Sequence, residues 1–407
     1  MSCATQGFRA TFASIFRSDS ALADSWTPIA NVLRYLASNS PEGLYQATYW
    51  QSDNQFIYSP LSIVFYRLTN WPPVLDWLSP LSLNRFSWWI FWGVVILIVV
   101  MFNDFHKILG VDAKPIDLRE RISRILIPLV AALLYYPLQS GRYVGNIQTW
   151  LTFLIILSLL LWMRGNRTGV GACLGLVCIF KPVFMPILLW ALLRREYLVI
   201  IGFLAKMIPF GLASLIMFGF GVHWEYLDLM AYLSRRGESF GSQSVNSLLN
   251  RAILNGPILE WDGTHSHIQY VTWIHYATIA TTWVGIGAAL IGRRQRSPVA
   301  SWIDYAIALL SLTIAAPVVY EHHIAFTVIL FMVAGVMLCH ESSISRPILW
   351  ILAISYVLVA FRFDIITTLA ITHFNFLLTH RLFGSLILLV ILYRLRAGWR
   401  GRATAFV

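Results

Sequence analysis

From residue 86 onward the chain alternates long apolar stretches with short polar breaks. Stretches near 86–102, 122–138, 147–163, 197–220, 271–292, 299–316, 323–338, 347–361 and 379–395 approach the ~20 apolar residues a helix needs to cross a hydrocarbon core. One further stretch, "TGVGACLGLVCIFKPVFMPILLWALL" at 168–193, is divided by Lys181-Pro182. Each half holds about 12 residues, or ~18 Å of helix, which falls short of a ~30 Å core. Lysine within a membrane is costly and proline cannot continue the hydrogen-bond ladder, so a helical hairpin entering and leaving from one side is expected. One long kinked helix is the rival. The pattern before residue 86 is different. Trp26, Ile29, Leu33 and Leu36 recur at helical spacing, which predicts an amphipathic helix lying at the interface. Thr27-Pro28 is its better start, because proline suits the first helical position, and Asp24 is then left just ahead of it. Asp24 as the cap is the plainer alternative. Trp224, Leu227, Met230 and Leu233 predict a second interfacial helix at the head of a long loop, 221–270, with Arg235 and Arg236 just after it. The expected architecture is an all-α polytopic membrane protein of roughly 9–11 transmembrane helices. Its parts are an outer segment, 1–85, and a transmembrane bundle, 86–407.

Composition narrows the class. Of 407 residues 58% are hydrophobic and 12% charged, against about 25% charged in soluble domains. The formal charge of +11 would suit nucleic acid, but no soluble domain exists to present a basic surface, so none is expected as a partner. Membrane lipids are. Cys3, Cys173, Cys178 and Cys339 have no metal-ligand spacing and imply no disulfide framework. Residues 1–24 are too interrupted by polar side chains for a signal peptide or a spanning helix.

Charge orients the spans. One set of loops (103–124, 164–167, 194–195, 293–296, Arg346 and 394–402) carries 17 Lys and Arg. The other set, counted after residue 86, carries six: Arg142, Arg235, Arg236, Arg251, Arg362 and Arg381. The positive-inside rule places the richer set in the cytoplasm. Residues 1–85, 139–146, 221–270, 317–322 and 362–378 then share the outer face, provided that 168–193 is a hairpin or crosses twice.

Ionisable groups gather on that outer set. "APVVYEHHIAF" places Glu321, His322 and His323 in succession between two spans. A polar helix end explains any one of them, but a simple turn needs only glycine or a hydroxyl. Histidines beside a carboxylate suit a group that titrates near neutrality. "LQSGRYVGNIQTW" concentrates Gln139, Arg142, Asn146 and Gln148, either as a polar turn or, through Arg142, as a phosphate ligand. Lys181 either snorkels to the interface or neutralises an anionic headgroup. His265 and His267 form a lone His-x-His in a loop, too weak for a metal assignment, and no metal or cofactor is expected.

Taken in order, an early outer Asp24, "YSPL", the Gly/Asn/Gln turn, "KP", "NSLLNR" and "AP…YEHH" resemble glycosyltransferase family 87, over about residues 24–340. That family comprises polytopic enzymes of the GT-C class that use a polyprenyl-phosphate sugar, among them mycobacterial mannosyltransferases and arabinofuranosyltransferases. The resemblance implies a GT-C-like bundle with interfacial helices on its outer face. Asp24 then matches the family's essential aspartate, Tyr58 and Pro60 its "YPP"-like element, and Lys181-Pro182 its "KP". Asn246-Ser247-Leu248 matches its "N-x-S-L" region, and Ala316-Pro317 with Glu321-His322-His323 its "SP-x-S-W-x-HH" pattern. "GNIQ" stands where the family has "GQ-x-N". In that class a first transmembrane helix precedes the aspartate. Residues 1–23 do not supply one, so a longer chain or an outer N-terminus is expected.

The implied reaction moves a sugar, mannose or arabinose, from a polyprenyl-phosphate donor to a lipid or glycan acceptor at the outer face of the cytoplasmic membrane. Asp24 and His322 are the expected catalytic residues, with Asp24 as base for an inverting displacement. His323, Lys181 and Arg142 are expected to bind the donor phosphate, and Tyr58, Asn146, Gln148, Asn246 and Glu321 the substrates. A transporter or flippase of lipid-linked sugars is the alternative, for which internal repeats and midplane polar groups are the signature; no repeat is visible. A non-catalytic envelope scaffold is a further rival, and it would not need Asp24 and the histidine pair together.

Overall fold

The computed structural model describes residues 15–17, 22–52, 55–69, 79–109, 117–235, 241–253, 271–295, 297–340, 346–363 and 368–399. Arg236, His265 and His267 lie outside them. The described chain is all-α: α1 Trp26–Ser38, α2 Pro60–Thr69, α3 Pro80–Ile108, α4 Leu118–Leu134, α5 Tyr136–Tyr143, α6 Gln148–Met163, α7 Arg167–Phe180 and α8 Ile187–Leu193. It continues with α9 Tyr197–Arg235, α10 Val245–Ile253, α11 Thr272–Leu290, α12 Pro298–Ala315, α13 Thr327–His340, α14 Arg346–Ala360 and α15 His380–Trp399. Among the described residues the β-type pairing is an isolated bridge between Ser242 and Tyr320.

Five segments are long and apolar enough to cross a membrane: Pro80–Ile108, Tyr197–Arg235, Pro298–Ala315, Glu321–His340 and Asn375–Trp399. The pair α4 and α5 would form a sixth, bent by 55°. Shorter apolar helices occupy Gln148–Met163, Arg167–Phe180, Pro182–Leu193 and Arg346–Ala360. The protein is therefore a polytopic membrane protein. The α4–α5 bend divides the stretch expected to span 122–138: Pro137 has no N–H to continue the ladder, and Tyr135 adopts an extended conformation. Much of the expected 139–146 turn is helical for the same reason, since proline near a helix start is well tolerated.

The stretch 168–193 is divided into the short helices α7 and α8 by the turn at Lys181-Pro182. α6 with 16 residues and α7 with 14 run antiparallel, covering about 24 and 21 Å, so the apex at Lys181 returns to the level at which α6 began. The Arg167 guanidinium lies 3.5 Å from the Glu196 carboxylate, which brings the hairpin's entry and exit together. α7 packs on α9 with backbone almost touching backbone. A Cβ on Gly171 would fall 2.0 Å from the Val199 carbonyl oxygen, and one on Gly202 2.0 Å from that of Thr168.

The predicted second interfacial helix is a continuation of α9 beyond a break at Gly219, whose φ of 71° and ψ of 177° are non-helical. Val222, Tyr226 and Leu229 pack inward there, while Trp224 and Leu227 of the anticipated stripe face outward. In a membrane protein an outward apolar face needs no protein partner, so the apolar stripe alone did not identify the packed side.

Arginines of the richer loop set meet at Asp304, whereas Arg381 of the poorer set pairs with Glu321. At the end remote from Glu321, Asp304 accepts from Arg194 Nε at 2.7 Å and is also paired with Arg396. All three are buried, and both arginines donate to the Ile291 carbonyl, tying the hairpin exit, α11, α12 and α15 together.

Candidate active site

The site is assembled on the "GNIQ" turn. Gly145 has φ +66°, and a Cβ there would lie 1.6 Å from the Leu22 carbonyl oxygen, so glycine is required on both counts. The bare backbone lets residues 22–25 run alongside. Leu22 N–H donates to Tyr143 O at 2.9 Å, Asp24 N–H to Val144 O at 3.0 Å and Ser25 N–H to Gly145 O at 3.2 Å. Helix α1 begins at Trp26, ahead of the expected Thr27-Pro28 start, because this docking pre-sets the first turn. Asp24 is not its cap. Its carboxylate accepts from Asn146 Nδ2 at 2.6 Å, and Asn146 Oδ1 in turn accepts from Gln148 N–H at 2.8 Å. The anticipated amphipathic stripe of α1 is largely buried: Trp26 and Ile29 pack inward, and Trp26 Nε1 donates to Asn84 Oδ1 at 2.8 Å.

The hairpin apex supplies the cation. Pro182 ends α7, Lys181 turns extended (φ −131°, ψ 101°), and its N–H still reaches Val177 O at 2.9 Å. Lys181 Nζ donates to Gln148 Oε1 at 3.1 Å and lies 2.7 Å from His323 Nε2. His323 sits on the short turn Glu321–Ile324, with its Nδ1 facing the Tyr320 N–H at 3.2 Å. Asp24, Asn146, Gln148, Lys181 and His323 are thus linked in one polar chain across four separate parts of the sequence.

The accessible members are the ionisable ones. Asp24 is exposed and Lys181 and His323 are half-buried, whereas Asn146 and Gln148 are buried. We take the accessible ground between this carboxylate and the half-buried Lys181 as the recess of the site. Burial there pushes the Asp24 carboxyl above its ordinary 3.8, while the Asn146 hydrogen bond and the Lys181 charge pull it down. Solvent at the carboxylate tempers the upward push.

Other candidates are placed differently. His322 is buried beside Gly141, where an added Cβ would come within 3.2 Å of the His322 Cβ, and its Nε2 has no hydrogen-bond partner among the described residues. Glu321 turns away from Lys181, accepting from Ser140 Oγ at 2.8 Å and pairing with Arg381 at 3.2 Å. Arg142 is fully buried and donates to the Arg17 carbonyl at 2.7 Å. Tyr58 is buried with its hydroxyl 2.6 Å from Ser25 Oγ, and Asn246 donates to Thr278 Oγ1 of α11 at 3.0 Å. Sequence reasoning passed over Ser25, Ser59, Ser140 and Arg381. Only Ser59 carried a signal, as the middle of "YSP".

The sequence profile of glycosyltransferase family 87 matches residues 56–317, more than half of the chain. The chain belongs to glycosyltransferase family 87. Comparison with curated proteins and with solved structures gave no match. The family-87 region contains Tyr58, Asn146, Gln148 and Lys181, but Asp24 and residues 321–323 lie beyond its two ends. Hydrogen bonds from Asn146 and Lys181 join those outlying residues to it. The protein is a membrane protein of a sugar-transferring family.

Proposed function

We propose that this family-87 protein transfers a sugar, mannose or arabinose, from a polyprenyl-phosphate donor to a lipid or glycan acceptor at the outer face of the cytoplasmic membrane. The observation that carries this reading is the polar chain itself: an exposed residue, Asp24, and a lysine, Lys181, joined through Asn146 and Gln148. The Lys and Arg asymmetry of the loops supports the outer face, because the recess lies at the poorer end.

The chemistry follows from those two groups. An acceptor hydroxyl is a poor nucleophile until its proton is taken, and Asp24 takes that proton as the oxygen attacks the anomeric carbon. The new C–O bond forms on the face opposite the phosphate, the old one breaks, and the configuration inverts. The donor's phosphodiester leaves as a phosphomonoester that carries one more negative charge. Lys181, with His323 against it, meets that developing charge without reorganising. His322 is buried beside Gly141 and supports the turn that carries His323. Arg142, Tyr58, Asn246 and Glu321 act behind the recess, holding the elements that carry it.

The test is sugar transfer from radiolabelled polyprenyl-phosphate mannose or arabinose in membranes, with wild type and Asp24→Asn at equal protein level. Transfer that collapses in the variant supports the enzyme and its base together. Equal transfer by both removes Asp24 from the mechanism, and no transfer from either donor shifts the case to flipping of lipid-linked sugars.

A further inference from the structure

Two neighbouring side chains behind the recess reach its two opposite walls. Where Pro182 stops α7, the carbonyls of the last turn lose their helical donors. Ser59 Oγ supplies one, donating to Ile179 O two residues before Lys181. The preceding residue reaches the other wall. Tyr58 OH pairs with Ser25 Oγ at 2.6 Å, and that oxygen also accepts the Ile147 N–H at 2.9 Å, next to Asp24 and Asn146. Both residues of the dipeptide are 4% exposed, so neither is open to substrate.

The dipeptide is itself fixed. Tyr45 OH donates to the Tyr58 carbonyl at 2.7 Å and Ser62 Oγ to that of Ser59 at 2.7 Å. Glu225, on the continuation of α9, anchors Tyr45 by accepting the N–H groups of Gly43 at 2.8 Å and Tyr45 at 3.1 Å.

We infer that Tyr58-Ser59 is a brace that sets the separation between the Asp24 carboxylate and the Lys181 ammonium, its two members acting as positioning residues. The inference rests on the reading of Asp24 as base and Lys181 as the cation for the leaving phosphate. In-line displacement makes that separation matter: acceptor oxygen, anomeric carbon and leaving oxygen lie in a row between the two groups, and a misplacement of about 1 Å is worth on the order of 10²-fold in rate.

The experiment measures kcat and donor KM for transfer from polyprenyl-phosphate sugar by Tyr58→Phe, Ser59→Ala, the double variant and Ser59→Thr, alongside Asp24→Asn. Each single hydroxyl deletion is expected to lower kcat by roughly tenfold or more, with donor KM within about twofold. Ser59→Thr, which keeps the hydroxyl, is expected to restore most of the rate. Both deletions release the same distance, so the double variant is expected to be little worse than the poorer single one. Wild-type kcat in both single variants, or losses that multiply in the double, would overturn the brace. All variants are compared at equal folded protein, judged by the monodisperse peak in detergent. Tyr58→Phe removes one oxygen only, which keeps an arm of the test open if Ser59→Ala does not fold. An inactive Asp24→Asn beside an unaffected Ser59→Ala sinks the brace alone, whereas an active Asp24→Asn sinks the mechanism on which it stands.

Discussion

Asp24 concentrates the argument at the scale of single residues. Among the described residues it neither caps α1 nor pairs with an arginine, and its side chain is held by the neutral Asn146 amide. A carboxylate kept accessible and only lightly held is arranged for proton transfer, so Asp24→Asn is expected to lower kcat by about 10²–10⁴-fold. The sign of its stability effect runs the other way. Burial lifts the folded pKa above 3.8, so what the group contributes to stability is present at low pH and is lost as pH rises through the lifted value. At neutral pH the ionised form is the costly one, and Asp24→Asn is expected to unfold at the same temperature as wild type or higher in a detergent melt. A marked drop would make Asp24 a structural residue. As a base it works only when ionised, so the acid limb of the pH–kcat profile is expected above the ordinary carboxylate range. Asn146→Ala removes a bond that stabilises the carboxylate, and Lys181→Met removes the positive charge near it. Either substitution is expected to move that limb to higher pH.

At the scale of elements, the hairpin holds its apex in place by packing. α7 and α9 approach so closely that glycine is needed on each, at 171 and 202. Gly171→Ala is expected to destabilise by about 1–3 kcal/mol, since the backbone of Val199 has nowhere to go. It should also reduce transfer, because Lys181 rides at the end of the displaced helix. Gly211→Ala on the same α9 meets nothing within 4 Å and serves as the control expected to melt and turn over as wild type does. The broken helix could be read from the sequence because its cause is local: two short apolar halves and a Lys-Pro between them. The start of α1 could not, because it depends on docking to Tyr143–Gly145, more than a hundred residues away in the chain.

For the whole molecule, the two ends do different work. The Asp304 carboxylate, buried between Arg194 and Arg396, closes the end remote from the recess. Breaking a buried ion pair from one side leaves uncompensated charge, so Asp304→Ala is expected to cost about 3–5 kcal/mol. The check is the thermal midpoint in detergent, together with an unchanged donor KM for the protein that stays folded. The recess end is built from loops and helix ends that share no continuous sequence, and its groups meet only when the bundle closes.

That division explains what each level decided. The sequence by itself determined that the chain is a set of apolar helices, because a membrane helix satisfies its backbone hydrogen bonds within its own segment and announces itself by local composition. It also carried enough ordered motifs, from "YSPL" to "KP", to be matched to its family. Only the tertiary structure decided which polar residues meet. Arg142 and Asn246 look like open loop residues and are buried struts, Glu321 turns toward Ser140 and Arg381, and Ser59 ends on the Ile179 carbonyl. A polar side chain withdrawn from water takes whichever partner packing brings within hydrogen-bond reach, and here those partners lie on other helices.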